Sequence, residues 1–575
     1  MKLFDKFKKK SLWDSYYTET EKNSKVPDCS IYEMFEVAVK KYGKYTAIEY
    51  FGKTISYNHL LELVDKCARS FQYEGIKEDD VVTICMPNTP EAIIAFFALN
   101  KIGAIANMIH PLSGEQEIKH YLTSNNSQML VMIDICYTKV KEVVSRTNVK
   151  KVIVVSAKDS MPFLLGLGYS LTKGLKVKKP KGSRYIYWND FLLKSYRVQK
   201  NAGAMRKGSD PAVILHSGGT TGAPKGILHC NTAFNTMSVQ EKLIVHTLKP
   251  GDSILTVMPN FHGFGLGICI VAPLTFGITI KLVPQIDVKT FDKLVTKLKP
   301  SVVVGVPTLL EAYVSSPRMK NEDISYLRHL VVGGDTLTKS LYERSRKFLD
   351  EHDSAADIIQ GYGMTECLAA VSASYGNANI PCSIGIPLFG NMLKIVVPGT
   401  QDEVEPGMDG EICASGDTVM MGYLNNKKET NEMLQVHKDK RIWLHTGDSG
   451  YMDEDGIFHF QSRIKRMIIS SGYNIYPAHV EEVLERHPAI LKCTVIGVPH
   501  KYKVEVAKAY IVLEEGYDDS FSTKKSIKEH CEKNLAAYAM PHDFEFRKSL
   551  PTTLIGKVNF RELERESREA QSEEE

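Results

Sequence analysis

The sequence has 575 residues, 43% of them hydrophobic, so it can bury large cores and exceeds one ordinary domain of about 100–200 residues. Its 72 Lys and Arg nearly balance its 68 Asp and Glu, which argues against a protein dedicated to nucleic acid. Its eleven cysteines include no C-x-x-C pair, which favours free thiols in a reducing compartment and indicates neither a disulfide framework nor a zinc site.

The first ten residues mix Leu3, Phe4 and Phe7 with five lysines. They lack the apolar stretch of a secretion signal, and no run of about 18 uncharged apolar residues occurs in the chain. We therefore expect a cytoplasmic protein. Residues 1–10 could rest on an anionic inner membrane face, or they could form an ordinary charged terminus.

Short Val- and Ile-rich runs then alternate with amphipathic segments of helical length. The alternation predicts parallel sheets covered by helices, with Pro90 and Pro307 at helix starts. The predicted strands are residues 81–86, 129–133, 151–155, 212–215, 253–258, 301–304 and 329–332.

Within this region, residues 161–180 pass from an apolar stretch into a basic one. This pattern has two interpretations, a second membrane-contacting element or a surface insertion packed on the parent domain.

After about residue 380, strands punctuated by Gly, Pro and Asp predict an antiparallel β subdomain, with strands at 393–397, 410–414 and 457–461. Residues 462–466 are the predicted hinge between an N-terminal domain, 1–461, and a C-terminal domain, 467–575. The predicted fold class is α/β. A large domain of parallel-rich sheets carries the β subdomain, and the smaller C-terminal domain is mobile and α+β. The C-terminal elements are helices at 477–486 and 523–534, strands at 493–497 and 507–513, and a charged helix that frays into an acidic tail.

The strongest chemical signal is a glycine-rich loop at residues 215–226. Glycines let backbone N–H groups converge on an anion, hydroxyls add donors and a lysine adds charge, so the loop predicts a polyphosphate site. The spacing is not that of a P-loop, because Lys225 is followed by Gly226. The candidate residues are Ser217, Gly218, Gly219, Thr220, Thr221, Gly222 and Lys225.

Two further segments carry polar groups suited to a nucleotide. Residues 360–366 follow a predicted strand, where Tyr362 could pack on a base and Glu366 could hold Mg²⁺. Asp448 is placed at a predicted tight turn, with a carboxylate suited to ribose hydroxyls, and Arg463 follows 15 residues later. Taken alone, Asp448 would be an ordinary turn residue.

Together these segments resemble the adenylate-forming superfamily of acyl-CoA synthetases, nonribosomal-peptide adenylation domains and firefly-type luciferases. The resemblance runs from about Tyr45 to Arg561. It rests on seven ordered motifs, at residues 217–226, 261–265, 332–336, 362–366, 446–448, 463–477 and 551–561.

The resemblance implies a role for each matching residue. The loop residues would surround pyrophosphate, Thr365 would bond the α-phosphate, Glu366 would bind Mg²⁺, and Asp448 with Arg463 would hold the ribose. Lys557 would bridge the substrate carboxylate and the α-phosphate. The remaining implied residues are catalytic His262; Gly333, Gly334, Asp335, Gly361, Tyr362, Gly363 and Met364 around AMP; hinge Lys465; and Ser471, Gly472 and Tyr473 towards CoA.

Two positions depart from the family pattern. Arg466 stands where the hinge motif often has an aspartate, and Asp335 stands where many relatives have a small residue beside the adenine. Lys465 still matches the hinge, so the ligation chemistry is unaffected, but the contacts of Asp335 are left open.

The resemblance implies ATP, Mg²⁺ and CoA as reactants and cofactors, with an acyl-adenylate made first and a thioester second. We expect a medium- or long-chain fatty acid, because the 161–180 insertion resembles one in bacterial long-chain fatty acyl-CoA ligases. Glycines 263, 265 and 267 could open an apolar tunnel, or they could be close-packing devices.

Aryl, bile-type and branched acids stay open as substrates. A stand-alone enzyme that loads a carrier protein also stays open, although no carrier domain is evident within the chain. A luciferase-like oxidase would share all the motifs, but this sequence shows no motif that is specific to oxygen chemistry. A non-catalytic binder should lose Lys557, Glu366 or Lys225, and all three are present.

Overall fold

The computed structural model describes residues 11–198, 203–217, 224–466, 468–470, 473–500, 504–536, 539–552 and 558–574. The helices are α1 Glu19–Lys22, α2 Ile31–Tyr42, α3 Tyr57–Tyr73, α4 Pro90–Lys101, α5 Glu115–Ser124, α6 Tyr137–Val144, α7 Phe163–Leu171, α8 Trp188–Leu193, α9 Asn231–Ile244, α10 Ala272–Thr275, α11 Phe291–Leu298, α12 Pro307–Val314, α13 Lys339–Glu351, α14 Lys427–Met433, α15 Pro477–Glu485, α16 Phe521–Asn534 and α17 Phe560–Glu574.

The strands form four sheets. They are β1 Thr46–Tyr50, β2 Lys53–Ser56, β3 Val81–Cys85, β4 Ile105–Ile109, β5 Met129–Ile133, β6 Lys151–Val155, β7 Tyr185–Tyr187, β8 Pro211–Ser217, β9 Lys225–Cys230, β10 Ser253–Thr256, β11 Thr279–Leu282, β12 Val302–Gly305, β13 His329–Gly333, β14 Asp357–Tyr362, β15 Ser372–Ser374, β16 Ile386–Pro387, β17 Asn391–Val396, β18 Gly410–Gly416, β19 Gly422–Tyr423, β20 Leu434–Val436, β21 Ile442–Met452, β22 Phe458–Arg463, β23 Ile468–Ser470, β24 Tyr473–Ile475, β25 Ile490–His500, β26 Val504–Leu513 and β27 Asp543–Phe546.

Two large sheets build the N-terminal part. One has the order β19-β9-β8-β4-β3-β5-β6-β7, and the other has the order β16-β15-β14-β13-β12-β10-β11-β1-β2. Their inner strands are parallel, and antiparallel pairs occur towards the ends. One continuous apolar core spans both sheets and the helices that cover them. The predicted parallel α/β architecture is therefore confirmed.

Local sequence explains where the helices begin. Pro90 and Pro307 are first residues of α4 and α12, where a missing N–H costs nothing. Ser30 caps α2, because its hydroxyl accepts from Glu33 N while the Glu33 carboxylate accepts from Ser30 N. α4 then passes through the core with every residue except Lys101 buried. α7, between β6 and β7, has no buried residue.

Two smaller sheets follow. The antiparallel sheet β17-β18-β21-β20, with β22 paired to β21, is the predicted β subdomain and packs around Leu393, Ile412 and Phe458. The last sheet, β24-β23-β26-β25 with β27 on β26, has its own core with α15 and α16, as predicted for an α+β C-terminal region. Within the described ranges, no helix has the length and hydropathy that crossing a bilayer requires.

Candidate active site

The predicted phosphate loop joins β8 to β9 at one edge of the eight-stranded sheet. β8 is parallel to β4 and β9 returns antiparallel, so the backbones of Ser217 and Lys225 pair directly across the hairpin. The loop thus leaves the carboxyl end of β8, the edge at which α/β sheets bind ligands. The other predicted loop residues lie outside the described ranges, namely Gly218, Gly219, Thr220, Thr221 and Gly222.

Lys225 lies between an acid and an aromatic ring. Its Nζ pairs with the carboxylate of Glu429, on α14, and lies 4.9 Å from the centroid of the Tyr423 ring. The hydrogen bond from Lys225 lowers the pKa of Glu429. The Lys225 side chain keeps 30% of its surface exposed, so the cation is oriented and still accessible to an anion.

Tyr423 also contacts the second predicted motif. Its hydroxyl donates a 2.9 Å hydrogen bond to Glu366 Oε1, and burial together with this carboxylate raises the pKa of Tyr423. Glu366 is buried in the short 3-10 turn Thr365–Cys367. Tyr423 therefore connects the phosphate-loop lysine to the predicted metal-binding acid, and the sequence analysis did not single it out.

His229 fixes the backbone of Thr365. The His229 Nε2 donates to the Thr365 carbonyl oxygen at 2.8 Å. Burial lowers the pKa of His229 to about 4, so the ring is neutral at pH 7 and the bonded nitrogen carries its single N–H. This buried histidine is a second supporting residue that sequence reasoning missed.

Directly after Glu366 the backbone makes a strained turn. Leu368 has φ +66° and ψ −62°, and Ala369 N donates to Cys367 O at 2.8 Å, which defines a γ-turn of the rare positive-φ form. Two glycines let neighbouring backbone approach it. A Cβ would lie 1.4 Å from the Leu368 oxygen at Gly263 and 1.8 Å from the Ala369 oxygen at Gly363. Strain of this kind concentrates at functional sites.

Asp448 is buried at the centre of a second polar group. The Tyr362 hydroxyl donates to Asp448 Oδ2 at 2.8 Å, and the Arg463 Nε lies 3.6 Å from Oδ1. Burial raises the pKa of Asp448, and the charge of Arg463 opposes that rise. Tyr362 is itself buried, with Phe460 beside its ring, so its polar end is directed to Asp448. The structure therefore brings together three residues that were predicted from separate motifs.

The predicted tight turn at Asp448 is wrong. Residues 446–448 lie inside the eleven-residue strand β21, at a bulge against β18 where Gly447 has φ +69°. Glu411 Oε1 accepts from Gly447 N at 3.0 Å, and Thr446 Oγ1 donates to Ile412 O at 2.6 Å. Because β21 pairs with β18 on one side and β22 on the other, the Gly447-Asp448 sequence forms a bulge instead of a turn. The bulge changes the direction of the Asp448 carboxylate.

Behind this bulge lies a buried histidine network. Glu411 Oε2 lies 2.9 Å from His445 Nδ1, and His445 Nε2 lies 3.0 Å from His437 Nε2. Cys413 adds a third potential metal ligand, since ligand atoms of Glu411, Cys413 and His445 lie within 4.8 Å of one another. Burial raises the pKa of the Cys413 thiol, and Glu411 already contacts two donors, so the cluster acts here as a hydrogen-bonded support for the bulge.

The predicted adenine segment ends β13 beside β14. Gly333 and Gly361 are paired, and a Cβ at Gly333 would lie 3.1 Å from the Gly361 oxygen. Gly334 has φ +80° and begins an exposed turn. Asp335 is exposed, and its Oδ1 accepts from Thr336 N at 2.9 Å. Met364 follows Gly363 as the residue before the 3-10 turn.

His262 is half-buried and lies just before a π-helix, Phe264–Val271. The centroids of the Phe261 and His262 rings are 5.0 Å apart. Neighbouring atoms fill the space beside the glycines that follow. A Cβ would lie 2.1 Å from the Pro259 oxygen at Gly265 and 2.6 Å from the Met237 sulfur at Gly267. The tunnel interpretation of these glycines is therefore wrong, and they are close-packing positions.

Arginines on either side of Lys465 bind opposite parts of the chain. Arg463 pairs with Asp448 in the β subdomain, whereas Arg466 lies 3.3 Å from Glu481 Oε1 on α15 and stacks on Phe560. Lys465 is in the 3-10 turn Ile464–Arg466, and Tyr473 begins β24. Ser471, Gly472 and Lys557 lie outside the described residues.

Comparison with known proteins agrees with these motifs. The AMP-binding enzyme family matches residues 35–424, and the AMP-binding enzyme C-terminal domain matches residues 479–557. A long-chain-fatty-acid–CoA ligase of Bacillus subtilis (strain 168) is 30% identical over 550 residues, covering 95% of this chain and 96% of the relative. One of Escherichia coli O157:H7 is 30% identical over 570 residues, covering 97% and 99%.

A solved structure has the same fold. The crystal structure of the anthranilate CoA ligase AuaEII with anthranoyl-AMP has a TM-score of 0.81 and 22% sequence identity, and the match covers 96% of this chain and 99% of that one.

Proposed function

The chain belongs to the AMP-binding enzyme family as an AMP-forming acid–thiol ligase, and from this premise we propose that its substrate is a medium- or long-chain fatty acid activated for transfer to CoA. The contact chain Lys225–Tyr423–Glu366, beside Tyr362–Asp448, is the observation that carries the site assignment. It gathers a cation from β9, a carboxylate that follows β14 and a carboxylate from β21, so three different sheets contribute to the site.

In the proposed first half-reaction, a substrate carboxylate oxygen attacks the α-phosphorus of ATP. The new O–P bond forms as the bond to the β-phosphate oxygen breaks, and pyrophosphate leaves. Lys225 neutralises the phosphates, and Lys557 bridges the two anions that must approach each other. Asp448 accepts from the ribose hydroxyls, while Tyr362 holds its other oxygen in place.

In the second half-reaction, the CoA sulfur attacks the acyl carbon of the adenylate. The C–S bond forms, the C–O bond to AMP breaks, and the thiol proton passes to solvent. We place CoA near Ser471, Gly472 and Tyr473, and the boundary between domains 1–461 and 467–575 at hinge 462–466. Arg463 and Arg466, bound to opposite parts, support rotation about Lys465.

Glu366 fits a role as Mg²⁺ ligand. It is a buried carboxylate, and its Oε1 accepts a hydrogen bond from the Tyr423 hydroxyl. Carboxylate oxygens are ligands that Mg²⁺ prefers. Bound there, Mg²⁺ would neutralise phosphate charge. Tyr423 orients the acid in either case.

The choice of fatty acid is supported by the names of the 30%-identical relatives. The glycines at 263–267 no longer support it, because they pack against backbone and Met237. An aryl or bile-type acid is the second candidate, and carrier-protein loading is the third.

An acid panel tests the substrate. Pyrophosphate release and AMP formation are measured with acetate, benzoate and fatty acids of increasing length, with and without CoA. Each buried CH₂ adds about 0.8 kcal/mol, so kcat/KM should rise about fourfold per CH₂ until the site is filled. A flat profile or a preference for benzoate contradicts the proposal, and AMP formation that needs a carrier protein instead of CoA selects the third candidate.

A matched pair of variants tests the ribose site. Asp448→Asn should raise the KM for ATP at least tenfold, whereas Asp409→Asn, an exposed aspartate of the same subdomain, should not change it. Equal KM values for the two variants contradict this assignment.

Half-reaction assays test the hinge. Lys557→Ala should lose acyl-adenylate formation by orders of magnitude yet still convert supplied adenylate and CoA to thioester. Lys465→Pro fixes φ near −65° and restricts Ile464, so it should keep single-turnover pyrophosphate release and slow thioester formation. Equal loss of both half-reactions in both variants, with unchanged circular dichroism, would overturn domain rotation.

A further inference from the structure

The outward face of α7 is apolar. At about 100° per residue, Phe163, Leu164, Leu167 and Leu171 fall within one arc of about 100°. Their exposures are 82%, 79%, 48% and 65%, and Leu175 beyond the helix is 75% exposed. A surface helix normally turns such a face to the core, so this face lacks a partner within the described residues.

The insertion is anchored where it leaves the sheet. The Ser160 hydroxyl donates to buried Glu91 on α4, and the Ser156 hydroxyl donates to Asp134 at 2.8 Å. On the inner side of α7, a Cβ at Gly166 would lie 3.7 Å from Lys158. Gly166 therefore lies against the base of the insertion, while Phe163, Leu164, Leu167 and Leu171 face outward.

Positive charge follows the apolar face. Between Ser160 and Asn189 the sequence has five lysines and one arginine and no acidic residue. Lys178, Lys179, Lys181 and Arg184 are exposed. An apolar face flanked by uncompensated lysines has the chemistry of an interfacial helix on an anionic lipid surface, whereas a protein partner would not require this charge excess.

The position of α7 relates it to the active site. Strands β8, β4, β3, β5 and β6 are neighbours and parallel, so the insertion after β6 leaves the same sheet edge as the phosphate loop after β8. At about 4.8 Å per strand, the two exits are about 19 Å apart.

We infer that α7 and the basic segment 173–184 dock this protein on the surface of an anionic bilayer, with the nucleotide-binding edge on the side facing the lipid. α7 has nine residues, too few to span the hydrocarbon core, so the contact is peripheral. The delivery of fatty acid from that bilayer rests on the proposed function, whereas lipid binding itself does not.

Vesicle sedimentation tests the docking without any acyl substrate. The full chain is incubated with phosphatidylcholine vesicles that contain or lack about 30% phosphatidylglycerol, at low and high NaCl. Binding should require the anionic lipid and weaken at least about tenfold at high salt, since screening shortens the reach of the lysines. Hydrogen exchange with and without vesicles should show protection over residues 163–175.

Matched variants separate the two contributions. Phe163→Ser with Leu164→Ser should weaken vesicle binding at least about tenfold, whereas Phe521→Ser, at 83% exposure in the C-terminal part, should not. Lys178→Gln with Lys179→Gln should weaken it about fivefold per charge and flatten its salt dependence, whereas Lys339→Gln with Lys347→Gln should not.

Two results would overturn the inference. One is vesicle binding that the α7 variants leave unchanged. The other is a lipid-free dimer in sedimentation velocity that Phe163→Ser with Leu164→Ser dissociates, which would make a second copy the partner. Because every readout is binding or mass, failure here leaves the acid panel unaffected.

Discussion

Helices α4 and α7 are both rich in large apolar residues, mainly Ile and Phe in α4 and Leu in α7, yet they have opposite surroundings. α4 crosses the core and buries every residue but Lys101, whereas none of the residues of α7 is buried. A hydrogen bond also links α4 to the segment that leads into α7, because Glu91 of α4 accepts from the hydroxyl of Ser160, three residues before α7 begins. Apolar composition therefore predicts that a helix needs a covering surface, while the neighbouring elements decide what supplies that surface.

The strongest loss of stability should come from a substitution in the buried helix α4. Phe97 is fully buried with the Phe35 ring 4.6 Å away, so Phe97→Ala should lower the free energy of unfolding of the N-terminal part by about 3–5 kcal/mol. Phe163→Ala, at 82% exposure, should change it by less than about 0.5 kcal/mol. Urea denaturation followed by circular dichroism measures both. Similar losses would mean that α7 is covered in solution, and the comparison would fail.

The next effect is a pH dependence centred on α4. Burial raises the pKa of Glu91 from 4.5 to about 6, and the bond from Ser160 opposes part of that rise. Because the folded pKa lies above the unfolded value, this contribution to stability is present below about pH 4.5 and is lost as pH rises through 6, by about 2 kcal/mol. Glu91→Gln should remove that loss in thermal unfolding from pH 4.5 to 8.

Exposed Glu115→Gln is the control for the pH experiment and should retain the wild-type profile. If Glu91→Gln keeps the same slope between pH 4.5 and 6, the titrating group lies elsewhere.

A smaller effect tests the junction of the two helices. Ser160→Ala removes the hydroxyl donor to Glu91 and should cost about 1 kcal/mol of unfolding free energy. The pH window should also move upward, because that hydrogen bond lowers the Glu91 pKa. Ser170→Ala is the control, because the Ser170 hydroxyl donates to Gly166 O in its own helix. Equal denaturation midpoints for the two variants would show that the junction contributes nothing.

The smallest effect concerns the exposed face alone. Leu164→Gln with Leu167→Gln should change the unfolding free energy by less than about 0.5 kcal/mol. The rate at which this double variant releases pyrophosphate with a soluble short-chain acid should stay within about twofold of the wild-type rate. A collapse of that rate would place α7 in the site itself.

Much of the fold follows from local patterns. Apolar runs locate β5 and β6 to the residue, and Pro90 and Pro307 mark helix starts. These predictions succeed because hydrophobic periodicity and the backbone geometry of proline depend on only a few consecutive residues. Asp448 shows the limit of such rules. Gly447-Asp448 has turn chemistry, but pairing of β21 with β18 and β22 makes it a bulge within a strand.

The site residues divide in the same way. Lys225, Glu366, Tyr362 and Asp448 lie in motifs and could be predicted. Their supports could not, because each pairing is a long-range contact that only the tertiary fold creates: Tyr423 on Glu366, His229 on Thr365, and Glu411 on Gly447. For the glycines at 263–267 the sequence left a tunnel and close packing both open, and the atoms that decide for close packing come from Pro259, Met237 and Leu368.

The hairpin of β21 and β22 affects how nucleotide release is timed relative to the hinge motion of the proposed cycle. Asp448 and Arg463 face each other in register, and the turn that contains Lys465 begins at the next residue, Ile464. In the proposed cycle, departure of the ribose changes the partner of Arg463 two residues before the pivot, Lys465. In that cycle, release of the nucleotide is coupled to the hinge through Arg463, with Ile464 as the residue between Arg463 and the pivot.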